Sequence, residues 1–210
     1  MWALCINGFT LGVNIVIAST YGLIVSSPPY DWPDSLVSFI TCGQVVVVLL
    51  ALPLLGHGSD LLIQRTASRN QGIHEPETRL ILLIPPIVVG TFTSVIYGVA
   101  ASNPREYHWM VYIWSVAAYF FTFLGSTIVT LTYLLDSFPG QAGPVLTILC
   151  TFRGFISFIV SNAATAYLPL VGYSAVFATF AVMTAILGLA GAVLYIFGQR
   201  LRFFATRLVY

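Results

Sequence analysis

The sequence predicts an all-α polytopic membrane protein with six transmembrane helices. Two observations carry this. The 210 residues are 58% hydrophobic and only 7% charged, with a mean hydropathy of +0.92. A soluble domain carries roughly a quarter charged residues, because its surface must meet water. Six apolar runs are also separated by short polar or proline-rich breaks. Each is about as long as the ~20-residue helix that spans hydrocarbon, where every backbone polar group must be satisfied internally.

The expected helices are 1–25, 36–55, 80–101, 107–135, 143–167 and 173–197. The first lacks the basic leading segment of a signal peptide and reads as a membrane helix. "SSPPYDWPDS" ends it and starts the second, since proline removes a helical donor. The second gives way to a polar loop over 56–79, whose "HEPETRL" reads as a helix start, with Pro76 in the first turn. There Glu75 and Glu77 complement the positive helix end, and Glu75 is four residues from Arg79. "SNPRE" closes the third helix, and "DSFPGQAGP" closes the long fourth, which must tilt or project beyond the hydrocarbon. "YLPLVGY" forms a tight turn between the fifth and sixth.

Arginines set the orientation. All eight basic residues are arginine. Arg65, Arg69 and Arg79 fall in the second connection, and Arg200, Arg202 and Arg207 in the C-terminal tail. Basic residues mark cytoplasmic segments, so the 56–79 loop and both termini are expected in the cytoplasm. Trp32, Tyr107 and Trp109 then suit an outer interfacial belt.

A net charge of +1 offers no basic face for nucleic acid. Cys5, Cys42 and Cys150 each sit inside an apolar run and read as small buried hydrophobes. His57 and His74 lie at the two ends of the 56–79 loop, and His108 lies at the start of the fourth run on the opposite side of the membrane, so no metal site is expected. "GHGSD" is not a nucleophile elbow: His57 and Leu61 stand where G-x-S-x-G needs glycines around Ser59. No catalytic motif, cofactor or enzyme activity is expected.

The polar loop holds Gly56, Asp60 and Arg65 as G-x-x-x-D-x-x-x-x-R. Gly56 and Gly58 there would let backbones pack closely as the helix leaves the membrane. That pattern resembles the loop signature of the major facilitator superfamily. "RNQGIHEPETRL" is similar to the loop between helices eight and nine of fungal multidrug-type facilitators of the drug:H⁺ antiporter kind. "TYLLDSFPGQAG" followed by "FRGFISF" resembles the segment between helices ten and eleven of the same group. The resemblance covers essentially the whole chain and implies helices seven to twelve, the C-terminal half of a twelve-helix transporter. Three positions depart from the family pattern. Pro144 stands where glutamate is usual, Gly154 follows Arg153 where asparagine is usual, and Gly58 replaces a larger apolar residue. The helix-five antiporter signature would lie in the other half.

Within this frame Gly56, Asp60, Arg65, Glu75 and Arg79 are the candidate cytoplasmic gate. Arg153 lies about ten residues into the fifth run, where a charge normally meets a partner or a watery cavity. It either lines the substrate path or snorkels to the cytoplasmic face beside Asp136 or Asp60. Asn14, Gln44 and Asn162 are membrane-embedded amides that either glue helices or line the path. Tyr119, with Tyr21 and Trp114, offers aromatic surface for an organic ligand. Gly8–Gly12 and Ser157–Ser161–Thr165 are small-residue packing faces.

The expected activity is transport of small organic solutes by alternating access. The expected partners are the bilayer, a small-molecule substrate, and an N-terminal six-helix half or a second chain. The expected location is the plasma membrane. The competing expectation is a membrane remnant without transport.

Overall fold

The computed structural model describes residues 1–69, 76–137 and 140–209, with backbone alone at 34, 59–69, 76–78, 194 and 196–209. It contains six long helices: α1 (Trp2–Val25), α2 (Asp34–Arg69), α3 (Ile84–Ser102), α4 (Met110–Ser137), α5 (Ala142–Val171) and α6 (Tyr173–Val209). A 3₁₀ segment, Pro76–Leu83, leads into α3. There is no strand among the described residues. All six helices hold stretches long and apolar enough to cross a membrane.

Pro85 and Pro86 occupy the first turn of α3, where their missing N–H groups are orphans in any case. Gly172 alone separates α5 from α6, at φ 86°, a conformation that side chains with a Cβ rarely adopt. Pro53 and Pro169 lie inside α2 and α5, as membrane helices tolerate when neighbours re-satisfy the freed carbonyl.

Helix ends depart from expectation. The loop expected over 56–79 is helical as far as Arg69, and the sixth helix continues beyond 197 to Val209. Leaving lipid removes the need for apolar side chains, but it does not end a helix. Residues 56–69 hold no proline, and their two glycines cost only about 1 kcal/mol each relative to alanine. At 36 residues α2 is about 54 Å long at 1.5 Å per residue, well beyond a ~30 Å hydrocarbon core.

The helices pack chiefly as α3 on α6, α1 on α5, and α4 on α3, α2 and α1. Gly8 and Gly12 bring α1 onto α5. A Cβ at Gly8 would lie 2.6 Å from Ile156 Cβ, and one at Gly12 would lie 2.7 Å from Val160 Cβ. Close backbone approach of this kind drives helix association where lipid removes the hydrophobic incentive. One apolar cluster lies around Val13, Ile17, Tyr97, Tyr112 and Phe177. There the Tyr97 and Phe177 rings meet edge-on at 4.7 Å. A smaller cluster, Ile6, Leu80, Leu83, Ile87 and Val129, lies toward the other end. Trp2 Nε1 donates to the Leu187 carbonyl at 2.8 Å and ties the start of α1 to α6.

The α1–α2 and α3–α4 connections meet. The Trp32 and Trp109 rings are 5.1 Å apart, and the Tyr30 hydroxyl reaches the Pro104 and Tyr107 carbonyls. The three cysteines are exposed rather than buried. Lipid is as apolar as a protein core, so an apolar thiol gains little by facing inward.

Candidate functional site

The helices divide into two groups by burial. In the spanning stretches of α2 and α5 only 11% of residues are buried, against 33% to 56% in the other four. Among described side chains α2 buries Ile40, Ala51 and Leu55, and α5 buries Leu149, Ser157 and Ala164. Each set forms one narrow helical stripe, and the rest of both helices is partly or fully exposed.

Three of the sequence-predicted path residues lie on these two helices. Gln44 is half-buried on α2, Arg153 is half-buried on α5, and Asn162 is exposed on α5. Asn14 is half-buried on α1. None of the four side chains makes a hydrogen bond or ion pair with another described residue. The interhelical glue that these amides were equally expected to supply is therefore not formed among the described residues. Arg153 stands eleven residues beyond Ala142, about 16 Å into α5 at 1.5 Å per residue. Asp136, one of the acids expected to hold it, instead pairs with Arg79, whose Nε lies 2.9 Å from Asp136 Oδ2.

Tyr119 does not share this open surface. It is fully buried, and its hydroxyl faces Ser94 on α3 and Thr184 on α6. Tyr21 turns toward α2, with its hydroxyl 3.4 Å from the Val37 carbonyl. Trp114 is exposed and borders an apolar groove of about 450 Å³ with Val47, Leu50, Ala51 and Leu54 of α2. The three aromatics expected to shape one organic-ligand site therefore contact different neighbours. Aromatic spacing along a sequence reports hydrophobic surface, and only packing decides which way each ring turns.

The gate residues are partly visible. Arg79 joins the 3₁₀ segment to the end of α4 through Asp136. Gly56 is within α2 and has no neighbour among the described residues within 4 Å of an added Cβ, so the close packing expected there is not formed among them. Among the described residues an added Cβ at Gly58 would approach Leu82, at 3.2 Å. The side chains of Asp60 and Arg65, and all of Glu75, lie outside the described residues.

The α1–α4 seam holds polar residues that the sequence reading missed. Asn7 Nδ2 donates to Thr130 Oγ1 at 2.9 Å, and Thr130 in turn donates to the Ser126 carbonyl. Thr10 Oγ1 and Ser126 Oγ are 2.9 Å apart, one turn along. Asn7, Thr10, Ser126 and Thr130 are all fully buried. Their spacing was a usable signal. Positions 7 and 10 are three apart and positions 126 and 130 are four apart, so each pair shares a helix face.

These features describe a helical membrane bundle in which α1, α3, α4 and α6 are the more closed helices and α2 and α5 are largely open. An uncharacterized MFS-type transporter of Schizosaccharomyces pombe is 20% identical over 182 residues, 87% of this chain and 31% of its own length. The MFS-type transporter penM of Penicillium rubens is 30% identical over 148 residues, 68% of this chain and 26% of its own. The chain is homologous to fungal MFS-type transporters. The protein HOL1 of Saccharomyces cerevisiae is a further relative, 21% identical over 206 residues, 96% of this chain and 35% of its own length. The chain thus spans between about a quarter and a third of the length of these curated relatives. No family model and no solved structure matches it. With six apolar helices and transporter homologues, it is an integral membrane protein.

Proposed function

We propose that this chain is the C-terminal six-helix half of a secondary transporter that moves small organic solutes by alternating access. The observation that carries this reading is the open side. α2 and α5 are the least buried helices, and they present Gln44, Arg153 and Asn162 without partners among the described residues. Unpaired polar groups facing hydrocarbon cost several kcal/mol by order of magnitude, and a charge in a membrane helix normally faces a partner or a water-filled cavity. A second six-helix body against α2 and α5 would turn that surface into the walls of a polar cleft. Alternating access also needs two bodies that rock against each other.

In this reading Arg153 lines the path, Gln44 and Asn162 flank it, and the Arg79–Asp136 pair belongs to the cytoplasmic gate. Both termini are cytoplasmic and the protein sits in the plasma membrane. The partner is an N-terminal half or a second chain.

Two linked measurements test it. In a transporter that carries this chain with its partner half, Arg153→Ala should abolish most uptake with membrane insertion unchanged. Arg153→Lys should restore uptake only in part, because lysine lacks the planar fork. The purified chain alone in vesicles should not move solute as a monomer. Robust movement by a monomer would overturn the half-transporter reading, and full uptake by Arg153→Ala would return Arg153 to a snorkelling role.

A further inference from the structure

α6 presses on α3 at Gly188. A Cβ there would lie 2.4 Å from Ile87 Cγ2, so a side chain would push the helices apart. One turn to either side α6 carries Ala185 and Ala192, which are too short to fill the space beside the contact. The result is a groove of about 390 Å³, floored by the buried Leu83 and Ile87 and by Gly188. It runs from Leu80 to Phe92. That is roughly 20 Å, at 2.0 Å per residue in the 3₁₀ segment and 1.5 Å in α3. The span matches the depth of one leaflet better than the whole ~30 Å hydrocarbon core.

The lining suits hydrocarbon. Thr91 is its one polar side chain, and that hydroxyl has given its hydrogen to the Ile87 carbonyl at 2.9 Å. The rim is apolar as well, with Phe92 64% and Leu189 67% exposed. No residue of α2 or α5 borders the groove. Drawn out over its length the volume is a slot narrower than a helix, which is about 10 Å across. A single chain of methylenes can lie along it, whereas a helix could lay in only its side chains.

The two ends differ in charge. α2 ends with Arg65 and Arg69, Arg79 immediately precedes Leu80, and α6 runs on through Arg200, Arg202 and Arg207. Chain direction puts all six at the end where the groove begins, against the acids Asp60, Glu75, Glu77 and Asp136. The opposite end carries Arg105 against Asp31, Asp34 and Glu106. An excess of arginine beside a groove between membrane helices attracts acidic lipid headgroups. We propose that the α3–α6 groove binds one anionic phospholipid, with an acyl chain along Leu80–Phe92 and its phosphate at the arginine-rich end. The site is separate from α2 and α5 and does not depend on the transport reading.

Photo-crosslinking of the full chain in phosphatidylcholine nanodiscs tests this. The probes are phosphatidylglycerol and phosphatidylcholine carrying the same diazirine-labelled acyl chain, and mass spectrometry locates the labelled residues. The phosphatidylglycerol probe should label the groove several-fold more than the phosphatidylcholine probe. Val46 and Leu49, exposed and apolar on α2, should be labelled equally by both. Ala192→Phe, which fills the slot, should bring groove labelling down to the level at α2. Competition by unlabelled phosphatidylglycerol should do the same in the unaltered chain, a reading that stands even if the variant fails to fold. Equal labelling of the groove by the two probes would reduce its occupant to ordinary surrounding lipid and overturn the proposal. Exclusion of both probes from a chain that runs as a dimer would overturn it too, by giving the groove to a second copy.

Discussion

The α1–α4 seam and the α2–α5 surface both carry polar side chains on membrane-spanning helices, and they treat them in opposite ways. In the seam Asn7, Thr10, Ser126 and Thr130 are fully buried and linked to one another. On α2 and α5 Gln44, Arg153 and Asn162 are half-buried or exposed and make no bond to a described residue. Residue type alone does not separate the two, since amides occur in both. What separates them is whether a second helix has already claimed the polar face. A claimed polar group holds a bundle together. An unclaimed one in a membrane helix marks a surface that awaits something polar.

The largest expected effect lies where the two regions join. α5 is attached mainly through α1, and Gly12 sits 3.2 Å, by its added Cβ, from the Cα of Ser157. That neighbour is backbone and cannot swing aside. Gly12→Leu should therefore destabilise the bundle by about 1–3 kcal/mol, the usual range for overpacking, and free α5. Thermal melting in detergent measures it. An unchanged melting temperature would show that α5 is held elsewhere, and the division between closed and open sides would fail.

A smaller effect is expected inside the seam. Asn7→Leu removes the donor to Thr130 and should cost about 0.6 kcal/mol, with about 1.7 as the upper end for interhelical bonds in membranes. Thr130 keeps its own bond to the Ser126 carbonyl, which limits the loss. The same melting experiment checks it, and a rise in melting temperature would mean that the seam is not polar glue.

The six spans were legible in the sequence because hydrocarbon thickness imposes a length and prolines punctuate it. Helix ends were not. Nothing between Gly56 and Arg69 stops a helix, so α2 runs on where a loop was expected. Facing was the least legible property. In water an apolar stripe marks the core, but a membrane helix is apolar all round. Tyr119 and Gln44 therefore looked alike as candidates for a ligand path, although one is sealed among α3, α4 and α6 and the other lies on the open side. Asn7 escaped notice for the same reason, whereas the Gly8–Gly12 spacing correctly announced a packing face because glycine acts through its missing side chain rather than its polarity.

The smallest effect on stability should come from the open side, and it separates the two kinds of polar residue most sharply. Gln44 has no partner among the described residues, so Gln44→Leu breaks no bond there. Its stability in the isolated chain, read from thermal melting, should stay within about 0.5 kcal/mol of the parent, as for surface changes that touch no special feature. A slight gain is physically reasonable, since lipid accepts leucine more readily than an amide. Transport should respond differently. In the assembled transporter the same substitution removes a donor and an acceptor from the proposed path, so uptake should fall while melting does not. Stability and transport are thus expected to separate at Gln44 and to fall together at Asn7. If Gln44→Leu instead melts early and transports normally, the amide is structural, and the open side is a lipid-facing surface rather than the wall of a pathway.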